Sequence, residues 1–231
     1  MTAHIPIVGD IRLVLSELAA KVENNVSQDW IDRVFGLKAK YPPRGEARED
    51  CVEPRVFIRD LSAMMKEDAI LAADVGQNQI WAARNFHVKE GRFLTSGGLG
   101  TMGYSVPAAI GAKIAKPHRQ VVAVCGDGSF QMCMCELGTL IQNGVDIKII
   151  IMENQRLGMV REFQDRLYGC RHIGTVLEHG NPDFVKLAES YGIEAARAEN
   201  NAQAKELAQH MLQSNKAFIL GCSVDPEIPS I

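Results

Sequence analysis

Residues 121–154, VVAVCGDGSFQMCMCELGTLIQNGVDIKIIIMEN, constrain the chain more than any other stretch. Val121 to Cys125 is an apolar run of strand length, rich in β-branched residues. It breaks on Gly126-Asp127-Gly128. A second run of the same character, Ile147 to Met152, ends on Glu153-Asn154. Between them Phe130, Cys133, Leu137, Leu140 and Ile141 recur at helical spacing, which predicts a helix over 129–143, capped by Ser129 and ended by Gly144. The stretch therefore reads as a β-α-β unit. Its crossover makes the two strands parallel and neighbouring, and brings Asp127 and Asn154 to the same carboxyl edge of a sheet.

Open α/β sheets bind ligands at that edge, and these residues indicate which kind. Gly126 and Gly128 leave room for close backbone approach. The following helix points free N–H groups and its positive dipole end at the same spot, which suits phosphate. Asp127 and Asn154 offer one charged and one neutral oxygen ligand. That pair is a poor cage for a free cation but a good half-site for Mg²⁺ already held by a diphosphate.

Composition removes other classes. At 46% hydrophobic and 23% charged, 231 residues suffice for a full core. A net charge of −3 without a basic tract argues against nucleic acid. No apolar stretch has membrane-spanning length, and MTAHIPIVGDIR lacks the organisation of a signal or transit peptide. The six cysteines form no CxxC pair; Cys125, Cys133 and Cys135 lie in apolar segments and read as buried thiols. A reducing, cytoplasmic location is the expectation.

Taken in order, IPIVGD reads as a short strand, followed by a helix from Ile11 to Val22 capped by Asp10. A second helix is expected around Trp30 to Tyr41, then a polar linker, YPPRGEARED. The core domain is expected over 52–231, with 1–51 belonging to something else. A helix from Arg55 to Lys66 leads to a strand over Ala69 to Val75. Gly76, Gln77 and Asn78 then stand at a strand end, where they either meet phosphate or cap a helix. Trp81 reads as core. Gly98 to Gly103 matches GxGxxG, but Phe93 to Thr95 is too short for a convincing central strand, so the glycines read as a loop that lies against a flat ring. Pro107 fits a helix's first turn. Leu157, Met159, Val160 and Phe163 have helical spacing and start at the expected metal site. Residues 170–180 read as a mobile loop. A helix follows in NPDFVKLAESYG, with Pro182 and Asp183 in its first turn, then a strand over Ile193 to Arg197, a helix over Ala202 to Gln213 and a strand over Ala217 to Val224. The elements together predict a doubly wound α/β domain with a mainly parallel sheet and helices on both faces.

GDG followed by a strand ending in Asn resembles the thiamine-diphosphate signature. GQNQIWAA, LTSGGLGTMGYSVPAAIGA, GDGSFQM, LGMVREFQ and NPDFVKLAESYG resemble, more narrowly, the catalytic large subunit of acetolactate synthase. The likeness covers about residues 53 to 224, and HIPIVGDIRLVLSEL is similar to the last strand and helix of that family's middle domain. The resemblance implies a C-terminal thiamine-diphosphate-binding domain preceded by the tail of a middle domain. It implies that Asp127, Asn154 and the main-chain carbonyl of Arg156 hold Mg²⁺, and that Gly76, Gln77, Asn78, Gly126, Gly128 and Ser129 serve the diphosphate. Asn78 stands where the family usually has His, and Glu153 where it usually has Asn. Gly100 and Met102 would take the aminopyrimidine, with the Met102 side chain bending the cofactor. Gly158 and Met159 would line the pocket. Met159, Val160 and Phe163 would face substrate, Phe163 replacing the usual Trp at the site that selects the second 2-oxo acid.

The implied reaction condenses two pyruvates, or pyruvate and 2-oxobutyrate, with loss of carbon dioxide, in branched-chain amino-acid synthesis. The resemblance places no catalytic side chain here. The activating Glu belongs to a pyrimidine-binding domain, any FAD to the middle domain, and the isolated chain is expected to be inactive. A homo-oligomer and a regulatory small subunit come with the family. Three other readings stand beside this one: a different thiamine-dependent 2-oxo-acid decarboxylase, a nicotinamide dehydrogenase built on the GxGxxG stretch, and a non-catalytic module or fragment.

Overall fold

A computed structural model describes residues 3–23, 26–42 and 45–231, and the chain divides into two units, Met1–Pro42 and Pro43–Ile231. The first unit holds α1 (Ile11–Lys21) and α2 (Gln28–Lys40). Asp10 starts α1, its carboxylate accepting from Arg12 N at 3.0 Å and Leu13 N at 3.1 Å. The expected strand over IPIVGD is absent. A strand needs a neighbour for its backbone groups, and no described residue of this unit pairs with it. Neither helix buries a residue.

The second unit runs α3 (Pro54–Met64), β1 (Ile70–Ala73), α4 (Gln77–Asn85), β2 (Arg92–Thr95), α5 (Ser105–Ala115), β3 (Val121–Gly126), α6 (Asp127–Gln131), α7 (Glu136–Gln142), β4 (Lys148–Glu153), α8 (Gly158–Leu167), α9 (Phe184–Ser190), β5 (Glu194–Ala198), α10 (Asn201–Gln213) and β6 (Phe218–Ser223). The strands form one sheet in the order β2-β1-β3-β4-β6-β5, and every pairing is parallel. This is the doubly wound architecture expected. The β3–β4 pair registers Val124 on Ile150. Alternation divides the strands between two cores. Leu71, Val122, Val124, Ile150 and Leu220 pack with Phe57, Ile58 and Leu61 of α3, Trp81 of α4 and Met211 of α10. Ile70, Ala72, Val121, Ala123 and Ile149 pack with Val106 and Ile110 of α5, Phe130, Leu137 and Phe184. Both sheet faces are covered, which is why the central strands are apolar over Val121 to Cys125 and Ile149 to Met152.

Further expectations need correction. The core unit begins near residue 43, not at Val52. Arg48 N donates to Asn201 Oδ1 at 2.9 Å, Arg48 Nη1 pairs with Asp225 at 3.0 Å, and Val52 N donates to Ser223 O at 2.7 Å. The polar run thus spends its groups on this unit, whereas composition alone reads it as linker. Pro43 and Arg44 lie outside the described residues.

The helix over 129–143 is broken and starts earlier, at Asp127. Between α6 and α7 the bonds shorten to the i→i+3 pattern: Cys133 N to Phe130 O, Glu136 N to Cys133 O and Leu137 N to Met134 O. Cys135 sits in that turn and is exposed rather than buried. Ser129 is consequently inside the first turn. Its Oγ accepts from Gly126 N at 3.1 Å and donates to Gly126 O at 3.1 Å. Lastly, Asp183 caps α9 from outside, its carboxylate accepting from Val185 N at 3.1 Å. Among the described residues no helix is long and apolar enough to cross a membrane.

Candidate functional site

The strand order reverses between β1 and β3: the chain leaves β1 toward β2 on one side and returns to β3 on the other. A crevice opens at the carboxyl ends of such a pair. Asn78 bridges it from below, its Nδ2 donating to Asp74 O at 2.7 Å and Val124 O at 3.4 Å. Gly76 makes the turn into α4 with φ 137°, a value that L side chains resist. Above this floor lies a cleft that opens to solvent.

The cleft gathers residues from five segments. Gly76, Gln77 and Asn78 come from the end of β1, Gly126 to Ser129 from the end of β3, and Asn154 and Arg156 from the end of β4. Gly158, Met159 and Val160 come from the start of α8, and Met102 reaches in from the glycine loop. Two expected residues are not in its lining: Gly100, and Phe163, which is exposed on α8.

Asp127 is buried, with every partner an uncharged N–H. Oδ1 accepts from Gly128 N at 2.9 Å; Oδ2 accepts from Gln155 N at 2.7 Å and Asn181 Nδ2 at 2.9 Å. Burial pushes its carboxyl up to about 6, against the pull of those hydrogen bonds. The sign of the linkage follows. A carboxyl raised in the folded state adds stability at low pH and loses it as pH rises through about 6. Unfolding of the ligand-free chain should therefore become easier between about pH 4 and 6, by about 3 kcal/mol from this group. Urea melts across that range test it: Asp127→Asn should flatten most of the slope, and an unchanged slope would rule out Asp127 as its source. Glu153 is also raised by burial and contributes in the same direction in both proteins.

Glu153 belongs to the sheet rather than the cleft. It pairs with Arg197 at 3.2 Å, in space left by Gly221, where a Cβ would lie 2.1 Å from Glu153 Oε1.

Asn154 is oriented by a chain of amides. Its Nδ2 donates to Gln77 Oε1 at 2.8 Å, and Gln77 Nε2 in turn donates to Glu162 Oε1 at 2.8 Å and Ile228 O at 3.2 Å. The acidic end of that chain admits only donors, so the direction is set throughout and Asn154 Oδ1 is left as an acceptor. Glu162 also holds Ser230, from N and Oγ, both at 2.6 Å. Gly158 lies against the same amides: a Cβ there would be 1.9 Å from Gln77 Oε1. At Gly128 a Cβ would be 2.5 Å from Leu157 Cδ2. The glycines are set by contact as well as by backbone conformation.

The glycine loop is lashed to β1 by Asp74, which is fully buried. Its carboxylate accepts from Val75 N at 2.9 Å, Gly103 N at 2.9 Å and Ser105 N at 2.7 Å, and this places Met102 at the cleft. Asp74, Asn181 and Glu162 were not read from the sequence. The signal for Asp74 was a lone charge inside the expected strand over Ala69 to Val75. The 170–180 loop is tied down where it passes the cleft, with Leu157 N to Thr175 O and Leu177 N to Gln155 O, both at 2.8 Å.

The fold and this cleft define a binding domain for a phosphorylated cofactor. Residues 74–222 match the family described as thiamine pyrophosphate enzyme, C-terminal TPP binding domain, and the chain belongs to that family. It is 40% identical to the probable acetolactate synthase large subunit of Methanocaldococcus jannaschii, over 97% of this chain and 39% of that protein. It is 39% identical to the acetolactate synthase large subunit of Cyanidium caldarium, over 96% and 39% respectively. For the acetolactate synthase isozyme 2 large subunit of Escherichia coli K12 the identity is 36%, over 96% and 40%. The chain spans about two fifths of the length of these curated relatives.

Proposed function

We propose that the cleft holds thiamine diphosphate together with Mg²⁺, and that the chain forms the diphosphate-binding half of an acetolactate synthase centre. The observation that carries this reading is Asp127. It is a buried carboxylate with no cationic partner among its hydrogen-bonding groups, beside an oriented Asn154 oxygen and over a glycine floor. A hard divalent ion held by these oxygens would supply the missing charge.

Asp127, Asn154 and the Arg156 carbonyl hold the metal. Ser129 and Asn78 would serve the diphosphate through their main-chain N–H groups, since the Ser129 hydroxyl is spent on Gly126 and the Asn78 amide on the Asp74 and Val124 carbonyls, and Gly128 would leave room for it. The Gln77 side chain is already engaged at both ends, so its part is to orient Asn154. Met102 would support the cofactor's rings, and Met159 and Val160, which line the same cleft, would face the substrate. When bound, thiamine diphosphate supplies the electron sink for loss of carbon dioxide from a 2-oxo acid. The protein positions it and keeps one side of it dry. The other side belongs to a pyrimidine-binding domain, and the complete protein works as a homo-oligomer on pyruvate and a second 2-oxo acid.

Calorimetry tests the binding half: thiamine diphosphate should bind in the presence of Mg²⁺ and not in its absence, and NAD should not bind at all. NAD binding without metal would replace this reading with a dehydrogenase. Product analysis on the complete protein separates acetohydroxyacid from simple decarboxylation. By the family resemblance Phe163, exposed on α8 and outside the cleft lining of this chain, would border the acceptor pocket in the complete protein. Phe163→Trp in the complete protein should raise the preference for 2-oxobutyrate over pyruvate by about 1 kcal/mol, roughly fivefold. An unchanged product ratio would remove Phe163 from that pocket.

A further inference from the structure

Away from the cleft, one cluster combines three kinds of metal-ligating side chain. Asp165 lies in the last turn of α8. Gly169 and Cys170 follow with left-handed φ values of 58° and 57°, and Cys170 N bonds back to Gln164 O at 3.1 Å. That reversal folds Cys170 and His172 over the end of the helix. One Asp165 carboxylate oxygen, the Cys170 sulfur and one His172 ring nitrogen all lie within 4.8 Å of one another. His172 Nε2 already contacts Asp165 Oδ1. Asp165 and Cys170 are exposed and His172 is half-buried, so an ion reaches the group directly from solvent. The frame is braced on the far side, where Gln164 Nε2 donates to Ile173 O at 3.0 Å and Thr175 Oγ1 to Gln164 Oε1 at 3.3 Å.

We propose that Asp165, Cys170 and His172 form a Zn²⁺ site that clamps the 169–177 segment to α8. A thiolate with an imidazole selects a borderline-soft ion. Mg²⁺ and Ca²⁺ prefer all-oxygen shells and are disfavoured. Three protein ligands leave one tetrahedral position for water. On binding, the Cys170 S–H releases its proton to solvent as the S–Zn bond forms. His172 binds as neutral imidazole, and its contact with Asp165 is replaced by bonds from both groups to the one ion. Arg161, with Nε 3.8 Å from Asp165 Oδ1, is the cation displaced; such a solvent-facing pair is weak. The clamp would reach the cofactor cleft through the chain. Leu177, in the same loop, packs beside Gly128 and bonds Gln155 O through its N–H.

The test uses the full chain, reduced and stripped with a chelator, then titrated with Co²⁺ as a spectroscopic substitute. One equivalent of Co²⁺ should give a thiolate-to-cobalt charge-transfer band, and Zn²⁺ should abolish it. Cys170→Ser should remove the band, and His172→Gln should weaken Zn²⁺ binding by about tenfold or more. Among the described cysteines, Cys135 and Cys170 are the exposed ones, so Cys135→Ser is the control that should retain the band. Asp127→Asn should also retain it, which separates this site from the oxygen ligands of the cleft. Absence of the band, its survival in Cys170→Ser, or its loss in Cys135→Ser would overturn the assignment.

Discussion

Asp127→Ala is expected to abolish metal-dependent uptake of thiamine diphosphate while leaving the domain folded. Asp127 stands just past the end of β3, outside both apolar cores, so its removal opens no cavity among packed side chains. It takes away a buried charge that burial already disfavours but also strips Gly128 N, Gln155 N and Asn181 Nδ2 of their acceptor, so the two effects on stability oppose each other. What it loses is the charged member of a donor set that is otherwise neutral. With one carboxylate the site holds Mg²⁺ weakly until diphosphate oxygens complete the shell, and cofactor and metal should therefore enhance each other's binding. Calorimetric titration of each, alone and in the presence of the other, measures that coupling in the parent and its absence in the variant. Tight Mg²⁺ binding without cofactor, unaffected by the substitution, would sink the assignment.

Gly158→Ala should weaken cofactor binding almost as severely, for a different reason. The added Cβ would stand 1.9 Å from Gln77 Oε1 and 2.8 Å from Asn154 Nδ2. Gln77 has no room to yield, because its other end is held by Glu162 and Ile228. Either α8 shifts or the amide pair separates. Overpacking costs about 1–3 kcal/mol, and a buried amide left without its partner costs a similar amount. A net loss near 3 kcal/mol corresponds to about 100-fold in affinity. Pairing Gly158→Ala with Gln77→Ala gives a discriminating cycle. The double variant should regain stability, because the clash is gone, yet keep the poor affinity, because Asn154 has lost its guide. Additive effects on stability would show that the two positions do not touch.

The parts of this domain that were legible in the sequence are those with local causes. The β3 and β4 runs, the glycines between them and the Asp127–Asn154 pair follow from periodicity and from the rule that a crossover keeps strands parallel. Met102 and Gly158, named by resemblance, lie in the lining of the same cleft. What stayed hidden depends on contacts between distant residues. Asn181 lies 54 positions from the Asp127 carboxylate it supports, and Glu162 lies 85 from Gln77. Neither has a local signature, since an Asn in a loop and a Glu on a helix are ordinary surface choices. The break between α6 and α7 was hidden because Phe130 and Leu137 face one core whether the helix is continuous or tightens between them. The polar run read as linker misled because the charge of Arg48 reads as solvation until Asn201 and Asp225 come into view.

Asp74 has a consequence for the order in which the domain assembles. Its own N–H pairs with Val124 O at 2.8 Å, which fixes it at the junction of β1 and β3, and only then does its carboxylate stand where Gly103 and Ser105 need it. The loop that carries Met102 therefore cannot settle before the two central strands have met, and it is the first part to come away when they loosen. In exchange with deuterated solvent, the Gly103 and Ser105 amides should open together and faster than the amides of β3. The wall of the cleft is thus a late and separately releasable piece of the fold, closing on a platform that is already complete.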